Sequence, residues 1–211
     1  MTTNLGQYEL GPVIGRGPTG TVRRGVLEGS RTPVAIKIIR RDLASDPRWV
    51  ASLVEVRNVL DRIEHRTIVP IRELVLGDDT VTIVCELVEG TDLGRLLDQG
   101  EVFAGPEAAR MMCEVLSALA AAHAAGIVHG GIKAENVIVT PTGKVRLTDF
   151  GIVPGREKAA ASPARDVYSV GLLLHELLTG ATPVVDRDAA LVANVGLRRN
   201  GSRLRGWKPS G

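Results

Sequence analysis

The sequence predicts an α+β fold in two lobes, the first β-rich and the second helical. Two observations carry that expectation. The first ninety residues are largely β-rich runs separated by Gly, Ser and Pro. Beyond Gly90 the pattern changes to long apolar runs with helical spacing. The switch places a hinge near residues 86–91, with boundaries at 1–88 for the first lobe, 89–182 for the second and 183–211 for a basic tail. A chain of 211 residues is long enough for a real core. Apolar residues make up 44% and aromatic ones only 3%, so that core must be built from Val, Leu, Ile and Ala.

The elements follow in order. YELGPVIGRG, GTVRRGVLEG and TPVAIKII read as three strands. DPRWVASLVEVRNVLDRI reads as a helix: Asp46 suits the N-cap, Pro47 the first turn, and Trp49, Leu53, Val56 and Leu60 recur at helical spacing. IVPIRELVLGDDTVTIVCELV gives two strands around a Gly-Asp-Asp turn. PEAARMMCEVLSALAAAHAAG is a long helix with Pro106 near its start and Gly126 as its stop. NVIVT and KVRLT are short strands around Pro-Thr-Gly, and DVYSVGLLLHELLTG is a second long helix ending at Gly180.

Charge and cysteine usage exclude several classes. A net charge of +2 points to neither a nucleic-acid nor a membrane partner. The last sixteen residues, GLRRNGSRLRGWKPSG, carry five basic residues and no acid. They read as a solvated end or linker, or as a contact for an anionic partner or surface. Cys85 and Cys113 lie far apart and form no CxxC, so neither a metal site nor a disulfide framework is expected, and a reducing cytoplasm is the default. The N-terminus MTTNLGQYEL has no signal-peptide pattern, and LSALAAAHAA and VGLLLHELL are too short to span a bilayer.

Chemistry concentrates in a few motifs. GRGPTGTV is GxGxxGxV between two strands, and Gly15, Gly17 and Gly20 would let backbone N–H groups approach phosphates closely. Alone, a glycine-rich hairpin is at least as good a reading, and no helix follows as a dinucleotide fingerprint requires. VAIK puts Lys37 on the next strand, within reach of phosphates held under that hairpin. Further on, IVHGGIKAEN spaces His129, Lys133 and Asn136 as a phosphoryl-transfer loop would.

As an ordered set, these motifs resemble the eukaryotic-type protein kinase family, and look closest to the bacterial Ser/Thr kinases. The resemblance covers roughly residues 8–182 and implies a two-lobed kinase-like fold. It matches the glycine loop to Gly15–Val22, the phosphate-binding Lys to Lys37, the catalytic loop to His129–Asn136, and the DFG motif to Asp149, Phe150 and Gly151. It implies ATP as ligand, with Lys37 on the α- and β-phosphates and with Asn136 and Asp149 as oxygen ligands of Mg²⁺. Val22 and Ala35 would cover one adenine face and Ile138 the other. Cys85 would lie at the back of that pocket, with Glu86 to Val88 as the hinge that binds the base. His129, Phe150 and Asp166 match architectural positions, and His129 reads as a packed, satisfied histidine rather than a base.

The chain departs from the family in four places. The catalytic Asp falls at Gly131, which has no group to orient a hydroxyl or take its proton; Lys133 beside it is kept. Gly130 replaces an Arg, and two glycines in a row are expected to loosen the loop. Only fourteen residues, IVPGREKAAASPAR, separate Gly151 from Asp166; they hold no APE anchor, and Ser162-Pro163-Ala164 is a poor substitute. The helix that should present a Glu to Lys37 carries Val56 in the usual register and Glu55 one residue early. Beyond Gly180 little helical periodicity remains, so the second lobe is expected to be shortened. These features together imply a pseudokinase that binds ATP weakly and signals through a protein partner or as a homodimer. The alternatives are a weakly active Ser/Thr kinase and a structural domain with an empty pocket.

Overall fold

The structure is a computed structural model that describes residues 3–77, 79–154 and 160–183. Of the basic tail, only Pro183 falls among them.

The N-terminal half is a six-stranded antiparallel sheet. Its strands are β1 (Thr3–Leu5), β2 (Tyr8–Gly17), β3 (Gly20–Leu27), β4 (Pro33–Ile39), β5 (Ile71–Leu76) and β6 (Val81–Glu86), in the order β1-β2-β3-β4-β6-β5. The three strands expected over residues 8–39 form where their patterns place them. Two short helices lie between β4 and β5: α1 (Arg41–Ala44) and α2 (Pro47–Leu60). α2 begins where its cap residue dictates. The Asp46 carboxylate accepts from Arg48 N at 2.9 Å and Trp49 N at 3.3 Å, and Pro47 sits in the first turn. Its apolar face, Trp49, Leu53, Val56 and Leu60, is buried.

The C-terminal half is helical. β7 (Thr91–Asp92) leads into α3 (Leu93–Asp98) and then α4 (Gly105–Ala124). A 3₁₀ turn (Ala134–Asn136), β8 (Val137–Val139), β9 (Val145–Leu147) and α5 (Pro163–Thr179) follow, and β7, β8 and β9 form a small ribbon. α5 starts three residues earlier than its periodicity suggested. The Ser162 hydroxyl caps it by accepting from Arg165 N at 3.2 Å, and Pro163 fits the first turn. Ser162-Pro163-Ala164 is therefore a helix start. Gly180 ends the helix at φ +67°, a left-handed conformation that glycine adopts without strain. No helix among the described residues is long and apolar enough to cross a membrane.

One core joins the halves. Leu53 and Ile83 from the first, and Met111, Leu119, Leu147 and Leu177 from the second, belong to a single buried cluster. A smaller cluster of Tyr8, Val34, Ile36 and Val84 forms at the sheet. Two side-chain contacts also join the halves. The Arg95 guanidinium of α3 donates to the Ile14 carbonyl beside the glycine hairpin, and Arg146 Nη2 donates to Glu86 Oε2 at 2.8 Å.

Candidate nucleotide site

The glycine motif is the turn of the β2–β3 hairpin, where Gly17 faces Gly20. Its three glycines have different reasons to be there. A Cβ on Gly20 would overlap the Ile38 carbonyl oxygen of β4, so the sheet itself demands glycine there. A Cβ on Gly17 would meet nothing within 4 Å, and one on Gly15 would make only ordinary contact with Val22. Packing within the chain does not require glycine at those two positions, and the open room fits an approaching ligand.

β-Sheet register brings the adenine-facing candidates together. Val22 pairs with Lys37, and Ala35 with Cys85. Cys85 is a free thiol that burial pushes up to about 12, so it is a small neutral hydrophobe at neutral pH. Glu86 ends β6, and Arg146 from β9 holds its carboxylate. Val88 is half-buried just beyond it. Ile138 lies on β8, and its Cγ2 packs close to Gly90.

Lys37 and Asp149 meet directly. Lys37 is buried, and its Nζ donates to Asp149 Oδ2 at 2.6 Å. Asp149 has φ +68°, a left-handed conformation that is uncommon outside glycine. Glu55 is not part of this pair: it is exposed on α2, while Val56 faces inward and its Cγ2 lies against Gly151. A helix turns 100° per residue, so one step separates the buried from the open face. Lys37 is thus held by the DFG aspartate alone among the described carboxylates.

The loop over residues 129–136 is tied down, against the expectation that two glycines would loosen it. Asp166 Oδ2 accepts from His129 N at 2.9 Å, and its Oδ1 accepts from Gly130 N at 2.9 Å. His123 Nε2 sits 2.8 Å from the same carboxylate. Gly131 N donates to His129 Nδ1 at 3.2 Å, and His129 Nε2 donates to Thr148 O at 2.9 Å. Those partners fix the neutral tautomer with its proton on Nε2. Burial holds the imidazole's pKa below its ordinary value, and the nearby Asp166 charge opposes that only in part. His129 also packs on Phe150, with ring centroids 4.6 Å apart. Gly130 has φ +77°, so glycine supplies this conformation without strain.

The donor set suits Mg²⁺ carried by a phosphate ligand. Asn136 Nδ2 donates to Gly131 O at 2.8 Å, which leaves the amide oxygen as the acceptor end of the side chain. With the Asp149 carboxylate this makes two hard oxygen ligands, and phosphates and water supply the rest of such a shell. Lys133 is half-buried at the start of the 3₁₀ turn.

The sequence pattern of the protein kinase domain family matches residues 8–160. This chain belongs to that family. The Streptomyces coelicolor serine/threonine-protein kinase PkaB is 36% identical over 215 residues, which cover 87% of this chain and 51% of that protein. Mycobacterium tuberculosis PknL is 32% identical over 212 residues, covering 89% and 53%. The chain thus spans about half the length of these relatives. Among solved structures, the Mycobacterium tuberculosis PknI kinase domain superposes with a TM-score of 0.77 at 23% identity, covering 87% of this chain and 78% of that one. That likeness supports the fold: a kinase-type β-rich lobe on a helical one. As a class the family uses ATP and Mg²⁺.

Asp166, expected as an architectural position, serves three donors at once. Sequence reading missed two features of this site: Trp49 bonds to the chain beyond Gly151, and Val153 lies on the paired glycines. The only signal was composition: a glycine pair and, 22 residues beyond Gly131, a valine after Ile152.

Proposed function

We propose that this chain is a catalytically impaired, nucleotide-binding pseudokinase domain, with lobes at 1–88 and 89–182, that works through contact with a protein. The observation that carries the reading is Gly131, in a fully formed catalytic loop, with no side chain to orient an acceptor hydroxyl or take its proton. A general base contributes about 10²–10⁴-fold to such a step. The nucleotide half of the reading is supported by the residues brought together around Lys37 and Asp149. Gly15, Gly17, Val22, Ala35, Lys37 and Ile138 would hold ATP. Asp149 and Asn136 would hold Mg²⁺, which supplies charge neutralisation at the phosphates. Binding is weak, because Lys37 must share Asp149 with the metal and has no Glu from α2 to position it.

The protein-contact half of the reading is supported by α5. Val167, Tyr168 and Leu178 are exposed on it, and exposed apolar patches usually mark interfaces. A partner protein or a second copy of this chain fits that face.

A second reading is a weak Ser/Thr kinase that works by metal and positioning alone, favoured by the retained Lys37, Asn136 and Asp149. A calorimetric titration with Mg-ATP, followed by a γ-phosphate transfer assay, separates the readings. Binding without transfer supports the pseudokinase. Transfer that vanishes in Lys37→Ala supports the kinase. No heat and no thermal shift at millimolar Mg-ATP would overturn nucleotide binding.

A further inference from the structure

Gly130 and Gly131 are half-buried. A Cβ built on Gly131 would lie 3.1 Å from Val153 Cγ1. One built on Gly130 would lie 3.4 Å from Val153 Cγ2 and 3.2 Å from Ala161 Cβ. Both methyls of one valine therefore rest on the two residues that replace the family's Arg and Asp. Val153 is buried at 4% exposure.

The valine is also held from behind. Its carbonyl oxygen accepts from Trp49 Nε1 at 2.8 Å, and Trp49 is itself buried in the core face of α2. The far end of the short segment is fixed as well, because Arg165 Nη1 donates to Ala160 O at 2.8 Å. Gly151 lies against Val56, where even a Cβ would crowd the valine's Cγ2. So the described residues at the two ends of this segment, Gly151 to Val153 and Ala160 to Ala161, are set by α2, the glycine pair and α5.

We infer that Val153 decides what this cleft accepts: it occupies the space beside residue 131 that an acceptor hydroxyl and its base would need, and leaves the nucleotide side open. The inference rests on the pseudokinase reading and deepens it. Losing the catalytic carboxylate and filling its seat are coupled, because at 3.1 Å a side chain at 131 and the valine at 153 fit together only if one yields by a few tenths of an ångström. Gly131 is thus more than a deletion; it is the socket for Val153.

Two measurements test this, neither of which uses nucleotide, so their failure is distinct from a failure of ATP binding. In the first, Gly131→Ala, Val153→Ala and the double variant are unfolded in urea. Contact predicts non-additivity: the double variant should lose clearly less than the sum of the single losses, because the added methyl occupies room the valine vacates. Additive losses would overturn the contact. The second measures access. Gly131→Cys in a Cys113→Ser background is treated with iodoacetamide, with the half-buried Cys85 as the internal control for opening of the fold. Labelling at position 131 should be slow and should rise at least tenfold when Val153→Ala is added, while Cys85 labelling stays constant. Equal labelling with and without Val153, or a parallel rise at Cys85, would overturn the proposal.

Discussion

Replacing Asp166 by Ala tests the anchor that holds the catalytic loop in shape. The carboxylate is 1% exposed and accepts from the backbone nitrogens of His129 and Gly130, both at 2.9 Å. Ala offers no acceptor, and His129 is fully buried, so its N–H is left without a partner. An orphaned buried donor costs roughly 1–3 kcal/mol, and the half-buried Gly130 N–H adds less than a second full cost because water can reach it. The bond to His123 is lost in addition. A domain of this kind has a total stability of about 5–15 kcal/mol, so the variant should be strongly destabilised or only partly folded. Urea unfolding followed by circular dichroism measures this, with Asp166→Asn as the milder comparison because its carbonyl still accepts one N–H. A loss under about 1 kcal/mol for Asp166→Ala at an unchanged m-value would refute the reasoning. The loop would then be held by packing rather than by this carboxylate.

Mg-ATP at a hundredfold excess over its Kd should stabilise the protein by about 2.7 kcal/mol, read as a thermal shift that disappears in Lys37→Ala. Burial depresses the His129 pKa, so the unfolded chain binds more protons once pH drops below the ordinary value of 6.5. Stability should therefore be full above that pH and fall as pH is lowered from 7.5 to 5.5. His129→Gln should flatten that fall, and an unchanged slope would refute its assignment to His129. Glu55→Ala should change stability by no more than about 0.5 kcal/mol and leave ATP binding intact, since Glu55 is exposed and away from Lys37. The exposed α5 face should give self-association or binding of an apolar dye, stronger in a chain ending at Gly180; light scattering that finds both chains monomeric and dye-silent would remove the support for a protein contact.

Local rules were enough for most of the architecture. Asp46, Pro47 and the Trp49-Leu53-Val56-Leu60 spacing specify α2 from within eighteen consecutive residues, and the structure follows them. Gly126 and Gly180 stop α4 and α5 because a left-handed turn is cheap only for glycine. The short elements β1, β7, α1 and α3 escaped, since two to six residues are too few to display a period. The candidate nucleotide-facing set came from the resemblance of its motifs to the kinase family, and sheet register brings Val22 beside Lys37 and Ala35 beside Cys85.

What only the tertiary structure decided lies across long separations. Glu55 and Val56 differ by one step on the helix, and which of them faces Lys37 depends on how α2 rotates against the sheet. The same packing buries Trp49 and brings its indole to Val153, 104 residues away. That contact in turn lays the valine on Gly130 and Gly131. A missing carboxylate can be read from a string of letters. The occupant of its place cannot, because a side chain's surroundings are set by segments that meet only after the chain has folded.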